Sequence, residues 1–232
     1  NFSYNDDKTI LNDITLDIKP KQHIALIGAS GSGKTTLAQI ISGFYEKDSG
    51  SITYNGIQTE DLDKCSLRDS VFLVLQMPIL FNNTLRFNIT MGNKNISDDE
   101  IYKALEIAQL KDMVLDMSHE LDTIVGRHGI RLSGGQRQRI SIARMIIADP
   151  KVVIFDESTS ALDVHTEYKL FDALEPLLKE KTLITIAHRL STVKNADTIY
   201  VLEEGKIVEE GTHEELEIED GHYNQFIKNQ LI

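Results

Sequence analysis

The feature that most constrains this chain is the string Gly28-Ala29-Ser30-Gly31-Ser32-Gly33-Lys34-Thr35. It fits the pattern G-x-x-x-x-G-K-[ST]. An apolar run at residues 24–27 precedes it. An amphipathic stretch follows, with Leu37, Ile40 and Ile41 on one face. That strand–loop–helix setting is the one such a string requires. The glycines let the backbone turn so that several N–H groups point at one phosphate chain, and the helix N-terminus adds partial positive charge. Lys34 reaches the β- and γ-phosphates, and the Thr35 hydroxyl is placed to coordinate Mg²⁺. The fixed positions coincide by chance about once in 30,000 sites, which disfavours a glycine-rich turn carrying a surface lysine.

The remaining pattern is α/β. Residues 12–18 and 23–27 read as short strands, and 51–54 as a strand closed by the Asn55-Gly56 turn. Residues 71–75 form an apolar strand ending before Pro78. From there to about residue 148 the period turns helical. Ser97-Asp98-Asp99-Glu100 forms a capping box ahead of a helix over 101–109, and a long helix over 134–147 stops at Asp149-Pro150. Residues 152–155 are wholly apolar, as in a strand buried on both faces of a parallel sheet. A helix over 166–178 and a strand over 183–187 follow. A hairpin pairs 198–202 with 206–209. A capping box at Thr212-His213-Glu214-Glu215 and a last helix over 220–231 close the chain. The expected organisation is one domain over 1–232. Its α/β core covers 1–76 and 149–232, with an inserted helical subdomain over 77–148.

Composition narrows the function. Among 232 residues the net charge is −12, which argues against a general nucleic-acid binder and against electrostatic docking to anionic lipid. The single cysteine, Cys65, cannot form an internal disulfide, and a reducing compartment suits it. The most apolar run, 71–81, is about half the length a bilayer span needs. The sequence begins at Asn1 rather than Met. The expectation is a piece of a longer protein whose remainder can include membrane spans.

Other residues complete a phosphate-transfer site. The strand over 152–155 ends in Asp156-Glu157. An acidic residue at the carboxyl end of a parallel strand faces the crevice where nucleotides bind. Asp156 is placed to hold Mg²⁺ through water, and Glu157 to polarise an attacking water. His188 and Gln76 each end an apolar strand. Each is open to two readings, a phosphate or water contact and a structural role.

Leu132-Ser133-Gly134-Gly135-Gln136 is the second signal. Ser133 is an N-cap residue, and the glycines expose N–H groups at a helix start, which makes an anion site. The string resembles the signature motif of ABC-transporter nucleotide-binding domains. The chain resembles exporter-type members end to end. That resemblance implies a RecA-like P-loop NTPase core with an inserted helical subdomain and an antiparallel β-subdomain near the N-terminus. It implies ATP binding by Tyr4 and by the loop through Thr36, with Tyr4 stacking on adenine, although a strand aromatic is also a core residue. It makes Gln76 the Q-loop glutamine and His188 the H-loop histidine, with Lys34 and Glu157 completing the catalytic set. It makes Ser160-Ala161-Leu162-Asp163 the D-loop. Mg²⁺ is then expected on Thr35, Gln76 and Asp156.

The family implies that two such domains meet head to tail. Each ATP lies between one domain's phosphate loop and the other's signature loop. Both half-sites are complete in this sequence, which favours a homodimer. The implied partner is a transmembrane domain, with the motor at the cytoplasmic face of a membrane and no nucleic acid bound. Residues 77–87 are rich in apolar side chains and are expected to serve both as helical core and as a groove for that domain, with Phe81 the shared contact. One departure stands out. Exporters usually carry Val-Gly-Glu before the signature, and here the string is Val125-Gly126-Arg127. The alternative is a soluble ABC ATPase of the DNA-repair or translation-factor type. Its coiled-coil or zinc insertion, or a second ATPase unit, is missing from this sequence.

Overall fold

The computed structural model describes residues 1–4, 8–156, 162–187 and 190–230. It divides into two compact units. The first holds Asn1–Leu73, Lys151–Glu157 and Lys181–Ile232, and the second Val74–Pro150 and Ser158–Glu180. The helix Val164–Leu178 thus groups with the second unit, whereas the sequence pattern placed it with the α/β core.

The first unit is built on a sheet of β1 (His23–Ile27), β2 (Val71–Val74), β3 (Val152–Asp156), β4 (Thr182–Ile186), β5 (Thr198–Glu203) and β6 (Lys206–Gly211). Their spatial order is β6-β5-β1-β4-β3-β2. β1 runs parallel to both neighbours, β5 and β4, and β4 runs parallel to β3. β5 and β6 form an antiparallel hairpin at one edge. Strand alternation sends successive side chains to opposite faces, and both faces are apolar. Ile24 and Leu26 join Leu37, Ala38 and Ile40 of the helix Lys34–Ile41 in one cluster. Ala25 and Ile27 join Val193, Leu216 and Tyr223 in the other. Register places Asp156 opposite Ile186, and Ile186 opposite Leu26. The carboxyl ends of β3, β4 and β1 therefore lie level at one edge of the sheet.

Two short antiparallel ladders precede and follow the first helix, Phe2–Ser3 with Thr9–Leu11 and Thr53–Tyr54 with Ile57–Gln58. The strand expected over 12–18 is not formed. Asn12 N–H donates to the Gly205 carbonyl, and Asp13 takes a positive φ of 55°, which ends the ladder at Leu11. The alternating Ile14, Leu16 and Ile18 still pack onto the core. Period-2 burial is satisfied there without strand pairing.

In the second unit the Ser97 box opens the helix Asp98–Ile107, three residues earlier than the apolar period suggested. Asp98, Asp99 and Glu100 fill its first turn, where the helix dipole favours negative charge. The long helix is Gly134–Ala148, with Ser133 as N-cap, and Asp149 ends it in the left-handed region. A short ladder pairs Asn83–Thr84 with Ile124–Val125. Among the described residues no helix is long and apolar enough to cross a membrane.

Candidate nucleotide site

The phosphate loop leaves β1 at Gly28. A Cβ there would lie 2.0 Å from the Leu202 carbonyl oxygen, so β5 admits only glycine at this position. Gly33 is the N-cap of the helix Lys34–Ile41, with φ 106° and Leu11 Cδ2 2.7 Å from where its Cβ would stand. This left-handed residue makes the helix begin at Lys34 and aims its first N–H groups back over the loop. Groups in a first helical turn have no intrahelical partner. Two further bonds fix the loop, Ser32 N–H to Ala29 O at 3.2 Å and Gly205 N–H to Ser32 O at 3.1 Å.

Lys34 is 6% exposed. Its ammonium donates to the carbonyls of Gly28 and Ala29, each at 2.9 Å. The Ser32 hydroxyl lies 3.5 Å away. The cation therefore sits over the loop's own backbone, where an anion entering the loop meets it. Thr35 Oγ1 donates to Asp156 Oδ1 at 3.3 Å, and Asp156 is 5% exposed. A hydroxyl and a buried carboxylate side by side are hard oxygen donors of the kind Mg²⁺ takes. Among the described residues no three His, Cys, Asp or Glu side chains cluster to hold a metal. A cation here would thus complete its shell with waters and ligand oxygens, which is how Mg²⁺ is held beside phosphates. Thr35 and Asp156 fit that role.

Tyr4 is 49% exposed. Its ring meets Phe2 and Tyr45 edge-on at centroid distances of 5.0 and 5.3 Å. Its hydroxyl bonds Thr36 at 3.0 Å and Gln39 at 3.2 Å, both on the phosphate-loop helix. The core reading of Tyr4 does not hold, since half of the side chain faces solvent.

Glu157, His188, Ser160 and Ala161 lie outside the described residues. Glu157 follows the last residue of β3, and His188 comes two positions after the last residue of β4.

In the second unit the signature string forms a capping box. Ser133 Oγ accepts from Gln136 N–H at 3.2 Å, and Gln136 Oε1 accepts from Ser133 N–H at 2.8 Å. The hydroxyl keeps its own proton to donate. Arg137 Nη1 donates to the Leu132 carbonyl at 2.6 Å, pinning the turn from behind. Leu132 and Gly135 are buried, Gly134 is half-buried and Ser133 is exposed. Leu162 is buried. Asp163 caps the helix Val164–Leu178 by accepting from Thr166 N–H at 3.0 Å, and that bond holds its carboxyl below the ordinary aspartate value.

Gln76 is exposed, and its carbonyl accepts from Gln138 Nε2 at 2.9 Å. Gln138 sits on the signature helix, and the sequence reading missed it. It also missed Arg144, and it noted Asn88 only as part of the exporter-like string Asn88-Ile89 that follows residues 80–85. Most of the partners of these two side chains are backbone groups, which leave no trace in side-chain patterns. A concavity of about 390 Å³ is lined by Ile79, Leu80, Arg127, Ile130, Arg131 and Arg137, among others. Met77, Ile79 and Phe81 beside it are exposed. The apolar side chains of 77–87 thus divide. Leu85 is core, and the first three are surface.

The family model described as "ABC transporter" matches residues 11–160. A protein of Thiobacillus denitrificans named "ATP-dependent lipid A-core flippase" is 48% identical over 91% of this chain and 37% of its own length. "ABC transporter B family member 1" of Dictyostelium discoideum is 43% identical over 99% of this chain and 26% of its own. A Staphylococcus aureus protein named as a putative multidrug export ATP-binding/permease protein is 42% identical over 99% of this chain and 40% of its own. Among solved structures, a bacterial Atm1-family ABC exporter with ATP bound superposes with a TM-score of 0.93 at 35% identity, covering 100% of this chain and 40% of that one. The chain thus spans between a quarter and two fifths of the length of these relatives. Its fold is that of a P-loop NTPase, and the chain belongs to the ABC transporter family.

Proposed function

We propose that this chain is the ATP-hydrolysing motor domain of an ABC exporter. The observation that carries the reading is the meeting of Lys34, Thr35 and Asp156 at one sheet edge, with Thr35 bonded to Asp156 at 3.3 Å. The Tyr4 ring receives adenine. The loop N–H groups and Lys34 take the triphosphate, Lys34 exchanging its bonds to Gly28 O and Ala29 O for phosphate oxygens. Mg²⁺ would be held by Thr35 and Asp156 and would supply positive charge to the phosphate chain. Glu157 accepts a proton from the attacking water, and His188 donates a hydrogen bond to the γ-phosphate.

Two copies close head to tail on two ATP molecules. Ser133 and the helix N-terminus of one copy face the γ-phosphate held by the other. Asp163 and its loop link the two sites. Hydrolysis removes the shared phosphate, and the pair opens. A membrane domain covers Met77, Ile79 and Phe81 at the cytoplasmic face of the membrane, and it presents a carboxylate or a carbonyl to Arg127. Relatives named as ATP-binding/permease proteins support this partner over a free-standing repair or translation ATPase.

Phosphate release from MgATP by the chain tests the enzymatic part. Wild type is expected to turn over, Lys34→Met to lose nucleotide binding, and Glu157→Gln to bind without turnover. A Glu157→Gln variant with wild-type turnover would remove Glu157 from the catalytic role.

A further inference from the structure

Asn88 is fully buried in the helix Leu85–Thr90, and every polar atom of its side chain is in use. Its Oδ1 accepts from Phe81 N–H at 2.8 Å. Its Nδ2 faces the carbonyls of Phe81 at 2.9 Å, Thr84 at 3.0 Å and Asn83 at 3.4 Å. One amide thus gathers the turn 81–84. Arg144 of the signature helix completes the arrangement. Its Nη2 donates to Asn88 Oδ1 at 3.0 Å, its Nη1 to Ile79 O at 3.1 Å, and its Nε to the Asn88 carbonyl. Each of these acceptors is an uncharged oxygen. A guanidinium fills three fixed directions at once, which a lysine cannot do. From the same helix Gln138 holds the Gln76 carbonyl. Segment 76–84 and the helix that follows it therefore hang from the signature helix, at Gln76, Ile79 and Asn88. The segment's exposed apolar side chains are Met77 at 74%, Ile79 at 77% and Phe81 at 48%.

We infer that Arg144 and Asn88 are positioning residues, a clamp that makes the exposed segment 79–84 move as one piece with the signature helix. Nucleotide engaged at Ser133 is then felt at Ile79 and Phe81. The clamp touches no nucleotide. Its output is the placement of the surface that the membrane domain covers. This inference rests on the proposed closure of two copies on ATP.

The chain contains no tryptophan, so I79W, at a highly exposed position, installs a single fluorophore on the segment. The test uses this reporter in the Glu157→Gln background, with MgATP, and reads emission, nucleotide affinity by a fluorescent ATP analogue, mass by light scattering and Tm. The reporter is expected to change emission when the chain dimerises. Arg144→Met is expected to abolish the change while nucleotide affinity and dimer mass persist, and Arg144→Lys to restore part of it. Asn88→Asp keeps the acceptor for Phe81 and Arg144 but removes the donors to the carbonyls of 81–84. It is expected to abolish the change by itself, and it serves if Arg144→Met does not fold. A full emission change in a folded Arg144→Met or Asn88→Asp dimer overturns the clamp, as does a silent reporter in a dimer that carries the intact clamp. Absence of ATP binding or of the dimer in the reporter parent instead overturns the proposed function.

Discussion

The hydroxyl of Thr35 donates to the carboxylate of Asp156 at 3.3 Å, joining the phosphate-loop helix to the end of β3 across the intervening β4. Residues 121 positions apart thereby present two oxygens side by side. Thr35→Ala removes one of them. It is expected to weaken MgATP binding about tenfold, the scale of a hydrogen bond or ligand contact to a charged group. Affinity for ATP without Mg²⁺ is expected to change little. Calorimetric titration with and without the cation checks this, and equal losses in both conditions would remove Thr35 from the cation site.

Backbone crowding separates two glycines of the same loop. Gly28→Ala drives a Cβ to 2.0 Å from the Leu202 carbonyl oxygen, whereas a Cβ at Gly31 meets nothing within 4 Å. Both have positive φ, 144° and 81°. Gly28→Ala is expected to cost ~3 kcal/mol or more, combining overlap with strain. Gly31→Ala is expected to cost about 1 kcal/mol from its left-handed backbone alone. Chemical denaturation of the two variants gives both numbers, and equal midpoints would contradict the crowding.

Alkaline pH should destabilise the fold. Burial pushes the phenols of Tyr200 and Tyr223 up to about 12 from 10.0. Above about pH 10 the unfolded chain sheds these protons while the folded chain keeps them. The folded state then binds more protons, and stability falls as pH rises. The contribution is complete below pH 10 and is lost by the time pH has risen through about 12. Urea midpoints across this range are expected to be flat and then to drop. A midpoint that stays constant through the range would contradict the burial of these hydroxyls.

Arg127 stands beside Arg131 and Arg137 at the same concavity, a cationic spot on a chain of net charge −12. Arg127→Glu in the complete transporter is expected to lower substrate-stimulated ATPase activity severalfold while basal hydrolysis persists, because like charges across an interface repel. Unchanged stimulation would mean that no carboxylate or carbonyl of the membrane domain meets Arg127.

Much of the site is legible in the sequence because its chemistry is local. The loop 28–35 and the capping boxes at Ser97, Ser133 and Thr212 each carry their partners within three to seven residues. Asp156 is readable because an apolar strand delivers it to a sheet edge. Residues 12–18 misled because alternation reports burial, and burial there needs no ladder once Asp13 turns away. The Asn88–Arg144 arrangement is invisible in sequence. It joins positions 56 apart through the main-chain carbonyl and the side-chain oxygen of Asn88, a pairing that no local pattern announces. The ladder of Asn83–Thr84 with Ile124–Val125 is two residues long and has no periodicity to read.

The central claim is that ATP joins two copies of this chain. The most direct measurement is solution mass by light scattering after gel filtration, on wild type and Glu157→Gln, each with and without MgATP. The expected result is a Glu157→Gln dimer only with MgATP, and a monomeric wild type during turnover. A Glu157→Gln chain that stays monomeric at high concentration with ATP demonstrably bound would contradict the account, because Ser133 and its helix would then not meet nucleotide held by a second copy.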